Sequence, residues 1–135
     1  MTNDERQQLT TAAQAAAGRA YAPYSKFRVG AAVLAADGRI FPGGNVENAS
    51  YGLSLCAERS ALASAVAAGA RQFRAVAVAC IDADPALGLN GRMPCGAGRQ
   101  WLLELAPDAE LIVTGGADEA RVFTVRELLP HGFTL

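Results

Sequence analysis

A continuous apolar run at residues 75–81 is the feature that most constrains the fold of this chain. A run without a polar face is typical of a strand that is buried on both sides of its sheet. Residues 110–114 predict a second buried strand. The alanine-rich residues 54–68 predict a helix that Gly69 ends, and a further helix is predicted at about residues 96–105.

The amino-terminal part of the chain predicts a helix followed by a hairpin. Residues 2–4 are Thr, Asn and Asp, which are capping side chains, and the helix that they begin is expected to end within residues 18–21. A strand is predicted at residues 27–36, a tight turn at Asp37-Gly38 and a second strand at residues 39–42.

The order of these elements predicts the fold class. It runs helix, hairpin, helix, strand, helix, strand, with a last short element at residues 123–129. A hairpin followed by alternating helices and strands is typical of an α/β fold with three layers, α/β/α, and a mixed central sheet. The length of 135 residues predicts a single domain that spans residues 1–135.

The composition of the chain limits the classes of molecule that it is expected to bind. The net charge of −1 provides no basic surface for a nucleic-acid polymer, so a small ligand is expected instead. No apolar run approaches the roughly 20 residues that a membrane span needs, and the polar start has no apolar signal region. The odd number of cysteines argues against a disulfide framework. We therefore expect a cytoplasmic protein without a membrane partner.

Two cysteine motifs at predicted helix starts are the candidates for chemistry. They are Cys56-Ala57-Glu58-Arg59 and the segment that begins with Pro94-Cys95. The dipole and free N–H groups at a helix start favour the thiolate, which is the form that binds metal. Glu58 follows Cys56 closely enough to stand beside a metal without binding it and to move protons for a metal-activated water.

These motifs, in this order, resemble those of the compact homotetrameric, zinc-dependent cytidine deaminases. The resemblance covers nearly the whole chain and rests on five segments: residues 24–32, 45–52, 56–61, 94–100 and 127–133. It implies that Cys56 and Cys95 bind zinc and that Glu58 is the catalytic proton shuttle. It also implies that Arg59 donates to the cysteine sulfurs and offsets their negative charge.

The resemblance further implies where a nucleoside binds. Asn45 and Glu47 would hydrogen-bond the ribose hydroxyls, and Phe27 would pack against the base. Neighbouring subunits of a homotetramer would complete each pocket. The implied substrate-binding residues are Phe27, Asn45, Glu47, Ala57, Ala49, Tyr51 and Phe133.

Gly98 departs from the family pattern, which has a third zinc-binding cysteine at this place. Three explanations stay open. Zinc persists with an extra water, an anion or a rerouted side chain; or the protein binds nucleosides without turning them over; or the glycine is a sequence variant. Cys80 and His131 could in principle replace the lost ligand. Cys80 lies in an apolar strand and is better explained as a small core residue, and His131 is better explained as a solvated residue of a predicted surface loop.

The function that this resemblance implies is the hydrolytic deamination of cytidine and 2′-deoxycytidine in pyrimidine salvage. Two alternatives remain at this stage. One is deamination of another aminopyrimidine nucleoside, and the other is a zinc-poor nucleoside-binding protein without turnover. The short chain and the absence of a basic excess disfavour an enzyme that acts on polynucleotides.

Overall fold

The computed structural model describes residues 1–116 and 120–135, which form a five-stranded mixed sheet with helices on both faces. The strands are β1 Val29–Ala35, β2 Ile40–Gly44, β3 Phe73–Cys80, β4 Glu110–Thr114 and β5 Arg121–Thr124, and the α-helices are α1 Asn3–Ala17, α2 Ala57–Ala67 and α3 Gly96–Leu105. The strand order is β2-β1-β3-β4-β5. Strands β3 and β4 run parallel, whereas the other neighbouring strands of the described sheet are antiparallel.

Strand β3 lies at the centre of the sheet between two helical layers. Its successive side chains point to opposite faces. Val76 and Val78 pack in the cluster that includes α2 and α3, whereas Ala75 and Ala77 pack in the cluster with Leu9 of α1. Both faces are therefore buried, and the predicted three-layer α/β/α fold with a mixed sheet is confirmed.

Local signals in the sequence set several element ends. Thr2 caps α1: its side chain accepts a hydrogen bond from the Glu5 backbone N–H, and the Glu5 carboxylate accepts one from the backbone of Thr2. Gly38, in the turn between β1 and β2, has a φ of 94°, and Gly69, just after α2, has a φ of 93°. Glycine adopts these angles without a steric penalty, which explains the predicted turn and helix end.

Helix α2 begins later than predicted, at Ala57 instead of residue 54. The backbone of Leu55 instead pairs with that of Val46 through hydrogen bonds of 2.9 and 3.0 Å. The residues before it form a short 3₁₀ helix, Tyr51–Leu53. Because the backbone groups of Leu55 are used in this bridge, the helix starts only after Cys56.

The carboxyl-terminal prediction was incomplete. The single short element expected at residues 123–129 is a strand, β5, followed by a 3₁₀ turn at Arg126–Leu128. Strand β5 pairs with β4 at the edge of the sheet and its side chains are mostly exposed. It therefore lacks the apolar run that revealed the buried strands. The loop expected at residues 82–93 contains a further 3₁₀ segment, Pro85–Gly91.

Glycines let α1 and α2 lie directly on the sheet. A Cβ atom at Gly30 would lie 1.9 Å from the carbonyl oxygen of Ala13, and one at Gly43 would lie 2.5 Å from the amide nitrogen of Ala61. The close approach at Gly43 helps to fix the position of α2, whose start carries the first cysteine motif. Each helix within residues 1–116 and 120–135 falls short of what a membrane span requires in length and apolar character. The interpretation of residues 1–135 as one domain stays a prediction.

Candidate active site

A cavity of about 640 Å³ opens where the first residues of α2 and α3 meet the carboxyl end of β3. Its volume is in the range of small-molecule sites, roughly 300–1,000 Å³. Ala57 and Cys95 line it from the two helix starts, and Val78 and Cys80 line it from β3. The resemblance predicted a nucleoside pocket in this part of the chain, and a cavity of suitable size is present there.

The start of α2 carries three side chains of the cavity wall. Cys56 is the N-cap residue, and Glu58 and Arg59 follow in the first turn. Arg59 donates from Nε to Sγ of Cys56 at 3.2 Å and from Nη2 to the carbonyl oxygen of Ser54 at 2.9 Å. The guanidinium is therefore held in place by the backbone and presents its positive charge to the sulfur.

The start of α3 brings a second thiol to the same place. Cys95 is the N-cap residue of this helix, and its Sγ accepts from the backbone N–H of Gly98 at 3.4 Å. One ligand atom from each of Cys56, Glu58 and Cys95 lies within 4.8 Å of the other two. Both cysteines thus stand at helix starts, as predicted, and the fold brings them together with Glu58.

This cluster has donors that suit zinc. Thiolates and carboxylates both bind zinc, and in tetrahedral sites the ligand atoms lie roughly 3.5–3.8 Å apart. The spacing within the cluster therefore needs only a small contraction around an ion. Glu58 is 2% exposed, and its Oε2 is buried without a hydrogen-bond partner among the residues that the structure describes. A cation between the three side chains would satisfy that oxygen.

Burial governs the protonation of the cluster in the metal-free protein. It raises the pKa of the Glu58 carboxyl above its ordinary value. Burial and then the nearby charge of Glu58 raise the pKa of the Cys56 thiol, while the hydrogen bond from Arg59 acts in the opposite direction. Without metal, burial thus favours the protonated carboxyl and thiol. A bound divalent cation has the opposite effect, because it favours the deprotonated forms of both groups. Metal binding here is thus expected to release protons.

The two predicted ribose ligands lie in the cavity wall and also hold its outer loop. Asn45 accepts from the backbone N–H of Val29 at 2.8 Å and donates to the carbonyl oxygen of Phe27 at 2.9 Å. Glu47 accepts from the backbone N–H groups of residues 24 and 25 at 3.0 and 3.1 Å and from the hydroxyl of Ser25. An amide and a carboxylate retain further donor and acceptor capacity beyond these bonds.

The remaining predicted substrate residues divide into two groups. Phe27, Ala57 and Tyr51 line the cavity. Ala49 and Phe133 do not line it within one chain: both are exposed, Phe133 to 70%. The backbone of Phe133 is instead bonded to the side chain of Gln100. A single chain therefore assembles most of the predicted site but leaves these two positions outside it.

The comparisons with known proteins agree with this geometry. The family model described as the cytidine and deoxycytidylate deaminase zinc-binding region matches residues 3–114. The chain belongs to the cytidine deaminase family. The crystal structure of cytidine deaminase from Burkholderia pseudomallei shares the fold with a TM-score of 0.85 and 47% identity, over 98% of this chain and 100% of that chain.

Curated members of the cytidine deaminase family match nearly the whole chain. The cytidine deaminase of Halalkalibacterium halodurans is 44% identical over 131 residues, which is 96% of this chain and 95% of the relative. The cytidine deaminase of Mycobacterium tuberculosis is 45% identical over 124 residues, 92% of this chain and 85% of the relative. The resemblance that the motifs predicted is confirmed at the level of the family.

Sequence reasoning assigned no separate role to two residues that contact the predicted substrate residues Glu47 and Tyr51. Ser25 holds Glu47 through both its hydroxyl and its backbone N–H. Tyr24 lines the cavity and contacts Tyr51 edge to face, with ring centroids 6.1 Å apart. Both belong to a segment that carries the family resemblance, but their roles depend on contacts with residues more than twenty positions away.

The two residues considered as replacement ligands, Cys80 and His131, are not in the metal cluster found among the described residues. Cys80 lines the cavity, but its thiol donates to the carbonyl oxygen of Arg92 at 3.5 Å and is not in the metal cluster found among the described residues. His131 is exposed.

Proposed function

We propose that this chain is a hydrolytic deaminase of cytidine and 2′-deoxycytidine that forms uridine and 2′-deoxyuridine in pyrimidine salvage. One observation carries the proposal. Two thiols and a buried carboxylate, whose Oε2 has no hydrogen-bond partner among the described residues, converge at a cavity of nucleoside size. The names of the family relatives support the same reaction.

The mechanism assigns one task to each side chain. Cys56 and Cys95 would hold zinc, which when bound lowers the pKa of water toward 7. Glu58 takes one proton from the attacking water and gives it to the ring nitrogen beside C4. It then takes the remaining proton of the hydroxyl formed at C4 and gives it to the amine, which leaves as ammonia while C4 becomes a carbonyl.

Charge in the cavity favours a nucleoside over a nucleotide. Among the described residues that line it, Arg59 is the one cation, and its Nε is bonded to Cys56. Glu47 adds a carboxylate whose pKa is lowered, first by the hydroxyl of Ser25, so it is ionised at neutral pH. A 5′-phosphate would thus face an anion, whereas ribose hydroxyls can donate to it.

The proposal is tested with zinc-loaded protein by ammonia release and by the fall in absorbance of the cytosine base. We expect turnover of cytidine and 2′-deoxycytidine and little turnover of their 5′-monophosphates. Glu58→Gln should abolish turnover, whereas Glu104→Gln, on the exposed side of α3, should not. Cytidine binding without ammonia release would contradict the proposal and favour a nucleoside-binding protein. Turnover of only another aminopyrimidine nucleoside would also contradict it.

We further infer that the chain forms a homotetramer in the cytoplasm. The support is the set of exposed side chains around the cavity mouth and at the carboxyl terminus: Tyr51 and Leu53 are 75% and 70% exposed, and Phe133 is 70% exposed. Ala49 and Phe133 would then complete the pocket of a neighbouring subunit. Light scattering at micromolar concentration tests this, and a monomer that turns over cytidine at full rate would contradict it.

A further inference from the structure

The carboxylate of Glu58 lies in the space that a side chain at position 98 would need. A Cβ atom built on Gly98 would lie 2.2 Å from Oε2 of Glu58 and 3.4 Å from Sγ of Cys56. Real Cβ atoms essentially never approach another atom closer than 3.0 Å. Glu58 occupies this space because residue 98 is glycine, and any side chain at position 98 would make the flexible end of Glu58 move away.

The position is that of a metal ligand. Oε2 of Glu58 is buried without a hydrogen-bond partner in the described part of the chain, and the two thiols stand within 4.8 Å of the carboxylate. An unpartnered buried carboxylate is costly unless it is paired with a cation or with hydrogen-bond donors. The family resemblance expects a zinc-binding cysteine at 98, so the carboxylate stands beside the place from which that third sulfur would reach the ion.

We propose that Glu58 is itself the third protein ligand of the metal in this chain, so that the site is formed by two thiolates and one carboxylate. This inference rests on the proposed function for the presence of zinc. Three anionic ligands around a divalent ion leave one negative charge, which Arg59 at Cys56 balances. A carboxylate that binds through one oxygen keeps the other for proton transfer, so both tasks can belong to Glu58.

Within residues 1–116 and 120–135, no other candidate ligand fills this place. The thiol of Cys80 is directed to the carbonyl oxygen of Arg92 and lies outside the cluster found among the described residues. Gly98 itself contributes only its backbone N–H, which donates to Cys95. Glu58 is thus the side chain that the fold places in the space left by the glycine.

Substitutions at positions 58 and 98 test the proposal through metal affinity, measured by competition of zinc with a chromophoric chelator. Gly98→Ala adds a Cβ but no donor, so it should push the carboxylate out and lower zinc affinity at least about 100-fold, beyond the roughly 10–100-fold that lost supporting contacts cost. Gly98→Cys should restore the affinity. Cobalt(II) spectra should show stronger sulfur-to-metal charge transfer in Gly98→Cys than in the native protein.

A double-mutant comparison keeps the test decisive if one variant folds poorly. Glu58→Gln should lower zinc affinity at least about 100-fold in the native background but within about tenfold in the Gly98→Cys background, where sulfur supplies the third ligand. Circular dichroism of each metal-free variant checks folding. Equal effects of Glu58→Gln in both backgrounds, or native zinc affinity in Gly98→Ala, would overturn the proposal. Zinc binding that depends on Glu58 without cytidine turnover would instead refute only the proposed function.

Discussion

Arg59 holds the sulfur of Cys56 at 3.2 Å from its Nε while its Nη2 is anchored on the carbonyl oxygen of Ser54. The contact joins a cation to a thiol whose pKa is raised mainly by burial. Of the contacts described around this sulfur, the one from Arg59 favours the thiolate. Arg59 therefore orients this thiol and favours its thiolate form.

Replacement of Arg59 should weaken metal binding. We expect Arg59→Gln to lower zinc affinity about 10–100-fold, because groups that support metal ligands typically contribute that much. Arg74→Gln is the matched control, since Arg74 pairs with Glu5 away from the cavity. Chelator competition measures the affinity of both variants. Equal losses in the two variants would show that the contact with Cys56 has no specific effect.

The buried carboxyl of Glu58 should make the stability of the metal-free protein depend on pH. Burial raises its pKa in the folded protein above the ordinary value of 4.5. Below that value Glu58 is protonated both folded and unfolded. As the pH rises, the unfolded chain loses the proton first, so the folded state loses stability until the pH passes the raised pKa.

Glu58→Gln should remove this dependence. We expect the metal-free variant to be more stable than the native metal-free protein at pH 8, by about 1–3 kcal/mol, because an ionisable group no longer has to be buried with one oxygen lacking a hydrogen-bond partner among the described residues. The difference should shrink toward pH 4. Urea unfolding with a strong chelator present measures it. A difference that is the same at both pH values would contradict the assignment.

Loss of the Glu47 charge should weaken nucleoside binding without affecting the metal. Hydrogen bonds to charged groups are stronger than those to neutral groups, so we expect Glu47→Gln to raise KM for cytidine roughly 10–100-fold with zinc content unchanged. Because the pKa of Glu47 is lowered below 4.5, its contribution should be constant between pH 5 and 8. Asp108→Asn, whose carboxylate pairs with Arg126 away from the cavity, is the control and should leave KM unchanged. Lost zinc in Glu47→Gln would indicate a structural role instead.

Gly30 should not tolerate a side chain. A Cβ there would meet the backbone of Ala13 and Ala17 at 1.9 and 2.3 Å, and backbone cannot move aside as a flexible side chain can. We expect Gly30→Ala to destabilise the fold by about 3 kcal/mol, at the upper end of the range for overpacking. Gly52→Ala has no atom within 4 Å of the added Cβ and serves as the control. Similar unfolding midpoints for the two variants would contradict this close packing of α1 on β1.

Local patterns in the sequence determined most of the fold. The cap at Thr2, the turn at Gly38 and the helix end at Gly69 were predictable because each depends on a few neighbouring residues. The buried strands β3 and β4 were predictable because burial on both faces requires apolar residues. The positions of Cys56 and Cys95 at helix starts were also predictable, because a helix start depends on a few neighbouring residues.

Tertiary structure alone decided the rest. Strand β5 forms because an edge of the sheet is available for pairing, so its exposed side chains leave no apolar pattern in the sequence. The bonds between Ser25 and Glu47 join segments that only the fold brings together. The position of Glu58 depends on the space beside Gly98, forty residues along the chain, and a sequence records which side chain is missing but not which one moves into its place.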